Sequence, residues 1–102
     1  MGYEIEFADD VHGHLRDLNA AQRKTVLEEI EKQLTHEANV RTKNRKPMEP
    51  NPLASWELRA GDLRVYYDVQ SEPPVVFVLA IGVKVRNEVR VGGKLYRWDR
   101  PL

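Results

Sequence analysis

Cysteine is absent from the chain, so no disulfide framework holds it together and no thiolate can ligate a metal. The fold has to rest on buried apolar surface, and an intracellular setting is the expectation. Long hydrophobic runs are absent too. The longest, residues 75–83, falls far short of the roughly 20 residues that cross a bilayer, and no membrane association is expected. Residues 1–7 alternate polar and apolar side chains and carry glutamates, unlike the basic start and apolar run of a signal peptide, so a soluble cytoplasmic protein is expected. Net charge is zero, with 16 Lys and Arg against 16 Asp and Glu. Nucleic-acid-binding domains are usually strongly basic, and on its face this balance speaks against that class. No GxSxG, Walker or Rossmann glycine pattern occurs, which leaves hydrolase, NTPase and dinucleotide-binding readings without support. The histidines make no metal site: His12 and His14 point to different faces of a helix and His36 lies far off at the end of the next. No metal and no cofactor are expected.

What is present fits one domain. A chain of 102 residues with 41% apolar side chains can build a single core of modest size. The domain spans residues 1–102, with 86–102 as a basic C-terminal tail. Charge is unevenly spread along it. Residues 1–38 hold nine acidic and four basic side chains, and residues 39–102 hold seven and twelve, so the two parts carry −5 and +5. Such a bipolar molecule can present a polyanion with one surface and repel it from another, which a net count conceals.

Local patterns order the chain. Tyr3, Ile5 and Phe7 alternate with Glu4 and Glu6, predicting a strand over 3–8. Asp9 and Asp10 offer capping oxygens to a short first helix whose apolar face is Val11, Leu15 and Leu18. Asn19 with Gln22 three positions on resembles a capping box, and Val26, Leu27, Ile30 and Leu34 form the stripe of a long amphipathic helix over 20–37. The apolar period then stops. Residues 39–52 read as a basic, proline-stiffened loop, and 53–60 and 63–69 as strands around a tight Gly61-Asp62 turn. In the second strand Leu63, Val65, Tyr67 and Val69 share one face, leaving Arg64, Tyr66 and Asp68 on the other. Pro73-Pro74 turns the chain into 75–81, apolar throughout as in a central strand. Gly92-Gly93 between 88–91 and 94–98 suggests a further small hairpin. The fold class is α+β: strand, helix, helix, then an antiparallel meander of three to four strands, with the helices on one face.

The remaining chemistry is cationic. It comprises the loop 41–46, Arg64 in mid-strand, and Lys84 with Arg86 beyond the central strand. Two roles are open to Arg64: a guanidinium on the helix-free face binding a phosphate bidentately, or a cross-strand pair with Asp68 or Glu57. Tyr66, Tyr67, Tyr96 and Trp98 lie among these cations, a mixture suited to stacking bases while cations follow the backbone. Trp56 and Tyr67 are expected in the core, and Tyr66 and Tyr96 at a ligand.

Residues 55–69, SWELRAGDLRVYYDV, followed by 75–84, VVFVLAIGVK, are similar to the strand hairpin and central strand of the RelE/ParE toxin family of type II toxin–antitoxin systems. In that family LR…G…R-[LV]-x-Y-x-V precedes an apolar strand ending in glycine and a basic residue. The order of elements agrees, so the resemblance extends over nearly the whole chain. It implies a RelE-like fold, a cognate antitoxin as partner, and contact with operator DNA only through the antitoxin complex. For the RelE-like branch it implies a ribosome-dependent endoribonuclease that cuts mRNA by metal-independent attack of the 2′-hydroxyl on the adjacent phosphate and so inhibits translation. A ParE-like poison of DNA gyrase, or a non-catalytic antitoxin-bound regulator, is the alternative. Carried over by residue, Arg64 matches the mid-strand phosphate-binding arginine, and Lys84 the basic residue after the glycine. Glu49, in Lys46-Pro47-Met48-Glu49-Pro50, resembles a loop glutamate acting as base. Relatives carry a tyrosine or histidine shortly after the last core strand; residues 86–91 have neither, and Arg90 aligns there. Tyr96 takes that place if the Gly92-Gly93 turn folds the tail back. The expected catalytic set is therefore Arg64, Lys84, Glu49 and Tyr96, with RNA bound by Arg41, Lys43, Arg45, Lys46, Arg59, Tyr66, Arg86 and Arg90.

Overall fold

The computed structural model describes residues 2–96. Helix α1 covers Asp9–Arg16 and α2 covers Ala20–Leu34. Asn19 caps α2 as its sequence implies: its side chain accepts from the Gln22 amide at 2.8 Å and the Gln22 side chain accepts from the Asn19 amide at 3.0 Å, satisfying two otherwise orphaned donors. Val26, Ile30 and Leu34 are the buried face of α2. The helix stops at Leu34 instead of residue 37, and turns follow over 35–39. Asp9 and Asp10 lie within the first turn of α1 rather than capping it. There their carboxylates still favour the positive end of the helix dipole.

Seven strands make one sheet: β1 (Glu4–Phe7), β2 (Arg45–Pro47), β3 (Trp56–Ala60), β4 (Leu63–Ser71), β5 (Pro74–Val85), β6 (Glu88–Val91) and β7 (Lys94–Tyr96). The order β2-β3-β4-β5-β6-β7 is antiparallel at every step, and β1 adds to β5 in parallel. The meander is thus longer than three or four strands. β2 arises inside the stretch expected to be a loop, pairing Arg45 with Leu58, and the expected hairpin around Gly92-Gly93 forms β6 and β7. Its last expected residues, with the rest of the basic tail from 97 on, lie outside the described residues. β5 is long enough to serve two neighbours on one edge. Residues 75–78 pair with β1, and 83–85 pair with β6.

β5 changes parity partway along. Tyr66 pairs with Ala80 but Tyr67 with Val78, so Leu79 is an extra residue, a β-bulge. Before it Val76 and Val78 face the helices; after it Ile81 does, in one core with Val11, Val26, Ile30, Leu34, Leu58, Val65 and Tyr67. Tyr67 stacks on half-buried Trp56, rings 6.1 Å apart, as expected of these two aromatics. A second, smaller core lies on the opposite face, where Val89 and Val91 of β6 cover Tyr66 and Ala80 with Ala54. Gly82 makes that possible. A Cβ there would sit 2.5 Å from the Arg90 carbonyl oxygen and within 2.8 Å of Val89 and Val91, so only glycine lets β6 cross so close. Among the described residues no helix is long and apolar enough to cross a membrane.

Candidate functional site

On the helix-free face a cleft of about 380 Å³ opens between the meander and the loop after β2. Strand parity builds its floor. Glu57 and Arg59 alternate with core-facing Leu58 on β3, Arg64 lies between Leu63 and Val65 on β4, and the Leu79 bulge turns Lys84 to the same side. Lys46 of β2 and Glu49 of the loop complete a lining of four cations and two carboxylates. Of the expected catalytic set, Arg64, Lys84 and Glu49 meet here, although they lie on β4, β5 and a loop.

Arg64 does not stand free on an exposed face. It is only 7% exposed, and Nη1 donates to the carbonyls of Gly61 at 2.7 Å and Leu63 at 2.9 Å. Neither Asp68 nor Glu57 is its partner: Asp68 accepts from the Ser55 amide at 2.7 Å and Glu57 pairs with Arg59 at 2.8 Å. Gly61, with φ +61°, turns the hairpin tightly enough to aim its carbonyl at the guanidinium. Nε and Nη2 of Arg64 have no partner in the described chain, and no buried side-chain nitrogen or oxygen there is left unpaired. Those two donors are therefore reachable from solvent, and the cleft is what Arg64 lines.

Glu49 is exposed on a loop organised by Asn51. The Asn51 side-chain amide donates to the carbonyls of Glu49 at 2.7 Å and Ala54 at 3.0 Å, while its oxygen accepts from the amides of Leu53 and Ala54. Lys84 is held through its backbone, whose N–H donates to the Asp62 carbonyl at 2.7 Å. Its ammonium is exposed at the cleft mouth.

Several expected site residues lie elsewhere. Arg45 is 6% exposed and structural: Nε donates to the Val40 carbonyl at 3.0 Å, and Nη1 donates to the Gln33 carbonyl at 3.0 Å and the Gln33 side chain at 2.7 Å. A cation bound to a carbonyl in the last turn of α2 opposes the negative end of the helix dipole, and it is spent there. Tyr66 is fully buried in the second core and cannot stack a base. Tyr96 is absent from the cleft. It lines a separate hollow with Asp10, His14, Asp17 and Lys94, because the Gly92-Gly93 turn folds β7 back along the edge of β6 that faces away from β5. Arg41, Lys43, Arg86 and Arg90 are exposed but do not line the cleft; Arg86 occupies the β5–β6 turn with φ 61°. Lys46 and Arg59 do line it. Glu57 and Asn87 line it as well and were not foreseen as site residues. The alternation of β3 put Glu57 and Arg59 on the face of Arg64, a signal readable from the sequence.

One ionisation is strongly displaced. Burial pushes the Tyr67 phenol well above its ordinary value, with Arg45 pulling slightly the other way, and its hydroxyl donates to the Ala38 carbonyl at 2.7 Å. Tyr67 belongs to the helix-side core, outside the cleft. No group of three histidine or carboxylate side chains suited to a metal occurs among the described residues.

Comparison with known proteins agrees with this architecture. A family model described as the ParE toxin of type II toxin–antitoxin systems, parDE, matches residues 5–87. The chain is similar to a chain in the crystal structure of the RelBE2 toxin–antitoxin complex from Mycobacterium tuberculosis, with a TM-score of 0.72 and 20% identity, covering 82% of this chain and 100% of that one. It is also similar to one in the archaeal RelE–RelB complex from Pyrococcus horikoshii, with a TM-score of 0.67 and 26% identity, covering 84% and 99%. No curated protein sequence gives a significant match.

Proposed function

The chain belongs to the ParE toxin family of type II toxin–antitoxin systems, and on that premise we propose that it is a ribosome-dependent endoribonuclease that cuts mRNA and halts translation. The observation that carries this reading is the meeting of Glu49, Arg64 and Lys84 in one cleft with Lys46 and Arg59. Cleavage needs a base, a preorganised positive field and an acid. Glu49 takes the proton of a ribose 2′-hydroxyl, and the freed oxygen attacks the adjacent phosphorus. Arg64 donates to the crowded phosphoryl oxygens from Nε and Nη2. Lys84 gives a proton to the departing 5′-oxygen, leaving a 2′,3′-cyclic phosphate and a 5′-hydroxyl. A cognate antitoxin is the expected partner, as both similar solved structures are complexes of such pairs.

A second reading, poisoning of DNA gyrase, is favoured by two observations: the family model that matches carries the ParE description, and neither tyrosine nor histidine lines the cleft. One experiment separates the two. Ribosomes programmed with a defined mRNA are incubated with the purified chain and the RNA is mapped by primer extension, in parallel with a gyrase supercoiling assay. Discrete cuts ending in 2′,3′-cyclic phosphate, with supercoiling untouched, are expected. Intact mRNA with arrested supercoiling would replace the first reading by the second.

A further inference from the structure

Glu57 has no task in the chemistry above, yet it is buried in mid-strand on the wall of the cleft, with Lys46 and Tyr66 opposite it on the neighbouring strands. Burying a carboxylate is costly, and its partner Arg59 is 44% exposed, so the pair contributes little to stability. The geometry of the pair is more informative. Glu57 Oε1 accepts from Nε of Arg59 at 2.8 Å, and no other hydrogen bond of the Arg59 side chain occurs among the described residues. The terminal Nη1–Nη2 edge of Arg59 is thereby left to face a ligand. Arg59 is also the direct cross-strand partner of Arg64. Like charges placed opposite one another are unfavourable in a sheet, where paired Cβ atoms stand about 4.5–5.5 Å apart, and such a juxtaposition points to an anion between or along them. Arg64 is tethered by Nη1 and presents Nε and Nη2, and Arg59 is tethered by Nε and presents the opposite edge. Each fork suits one phosphate.

We propose that Glu57 is a positioning residue that holds the Arg59 fork beside Arg64, so that the cleft grips two successive phosphates of a polynucleotide strand. This rests on the reading of the cleft as a phosphodiester site. It gives an expectation opposite to that from net charge. Removing a carboxylate from a cationic cleft should tighten anion binding if charge alone matters, whereas a loosened Arg59 should lose its share of the second phosphate.

The probes are 2′-O-methyl triuridylates, which cannot be cleaved, carrying either two phosphodiesters or one phosphodiester and one uncharged methylphosphonate. Affinities are measured by fluorescence anisotropy for the full-length chain and for Glu57→Ala, Glu57→Gln and Arg59→Ala, each first checked for folding by circular dichroism. The parent protein should prefer the two-phosphate probe by about tenfold, the scale of one charge-assisted contact. Arg59→Ala and Glu57→Ala should abolish that preference. Glu57→Gln, which keeps an acceptor for Nε, should restore part of it. A folded Glu57→Ala variant that retains the full preference, or binds both probes more tightly, would overturn the positioning role while leaving the phosphodiester site standing. Failure of the parent protein to bind either probe would overturn both.

Discussion

Arg64 makes its two bonds to the Gly61 and Leu63 carbonyls within its own hairpin, so one side chain contributes to the hairpin and faces the cleft at once. Arg64→Ala should therefore cost about 1–3 kcal/mol of stability, the usual loss for charged hydrogen bonds at a buried position, read as a shift in the urea midpoint. Cleavage per folded molecule should fall by about 10²–10³-fold as a preorganised donor is removed. Arg64→Lys should recover only part of the rate, since an ammonium keeps the charge without the planar fork. A variant destabilised but fully active per folded molecule would assign the arginine to the hairpin alone. The contrast between Glu49 and Tyr96 belongs to the same scale. Glu49→Gln should slow single-turnover cleavage of ribosome-bound mRNA by about 10²–10⁴-fold if it is the base. Tyr96→Phe, outside the cleft, should leave the rate per folded molecule unchanged; a large loss would mean that the C-terminal hairpin reaches the substrate on the ribosome.

At the scale of elements, β5 and β6 determine what the helix-free face can be. The Leu79 bulge brings Lys84 to the side of Arg64, and Gly82 lets β6 fold over Tyr66. Gly82→Ala puts a methyl group into a backbone carbonyl that cannot move without its strand. It should cost about 1–3 kcal/mol, as overpacking does, and raise hydrogen exchange across β6 more than across β3. Equal protection of both strands in the variant would mean that β6 is not held by this approach. The link between α2 and β2 depends in the same way on Arg45. Arg45→Ala removes the donor to the Gln33 and Val40 carbonyls and should destabilise by about 1–3 kcal/mol, without weakening RNA binding per folded molecule.

For the molecule as a whole, zero net charge conceals an uneven spread. Residues 1–38 carry nine acidic and four basic side chains, whereas the cleft gathers Lys46, Arg59, Arg64 and Lys84 against Glu49 and Glu57. A field so divided can orient a polyanion toward the cleft despite the neutral total. Stability of the same molecule should bend downward in alkali. Tyr67 holds its proton in the folded state to a pH well above the ordinary tyrosine value. Below about pH 10 both states are protonated and its contribution is fully present. Above it the unfolded chain alone loses the proton, and stability falls as pH rises. The difference in urea midpoint between the parent and Tyr67→Phe should accordingly shrink from pH 8 toward about pH 11; a constant difference would show that Tyr67 ionises alike in both states.

Much of this was legible in the residues. The period-2 alternation of β3 and β4 decides which side chains face away from the helices, the Asn19–Gln22 pair starts α2, and Gly61 and Gly92-Gly93 mark the hairpin turns, because each is a relation between residues close in the chain. Glu49, Arg64 and Lys84 come forward as catalytic candidates on other grounds, through the resemblance of residues 55–69 and 75–84 to the RelE/ParE family. What the tertiary structure alone decided is which cations remain available. Arg45 looks like any other member of the basic loop until Gln33, twelve residues away, brings the end of α2 to it. Tyr66 sits on the outer face by parity, and only the return of β6 buries it. Tyr96 misses the cleft because β7 runs on beside β6. Local sequence sets the direction of a side chain relative to its own backbone; burial and hydrogen bonding depend on which distant segment arrives opposite, and that is a property of the assembled sheet.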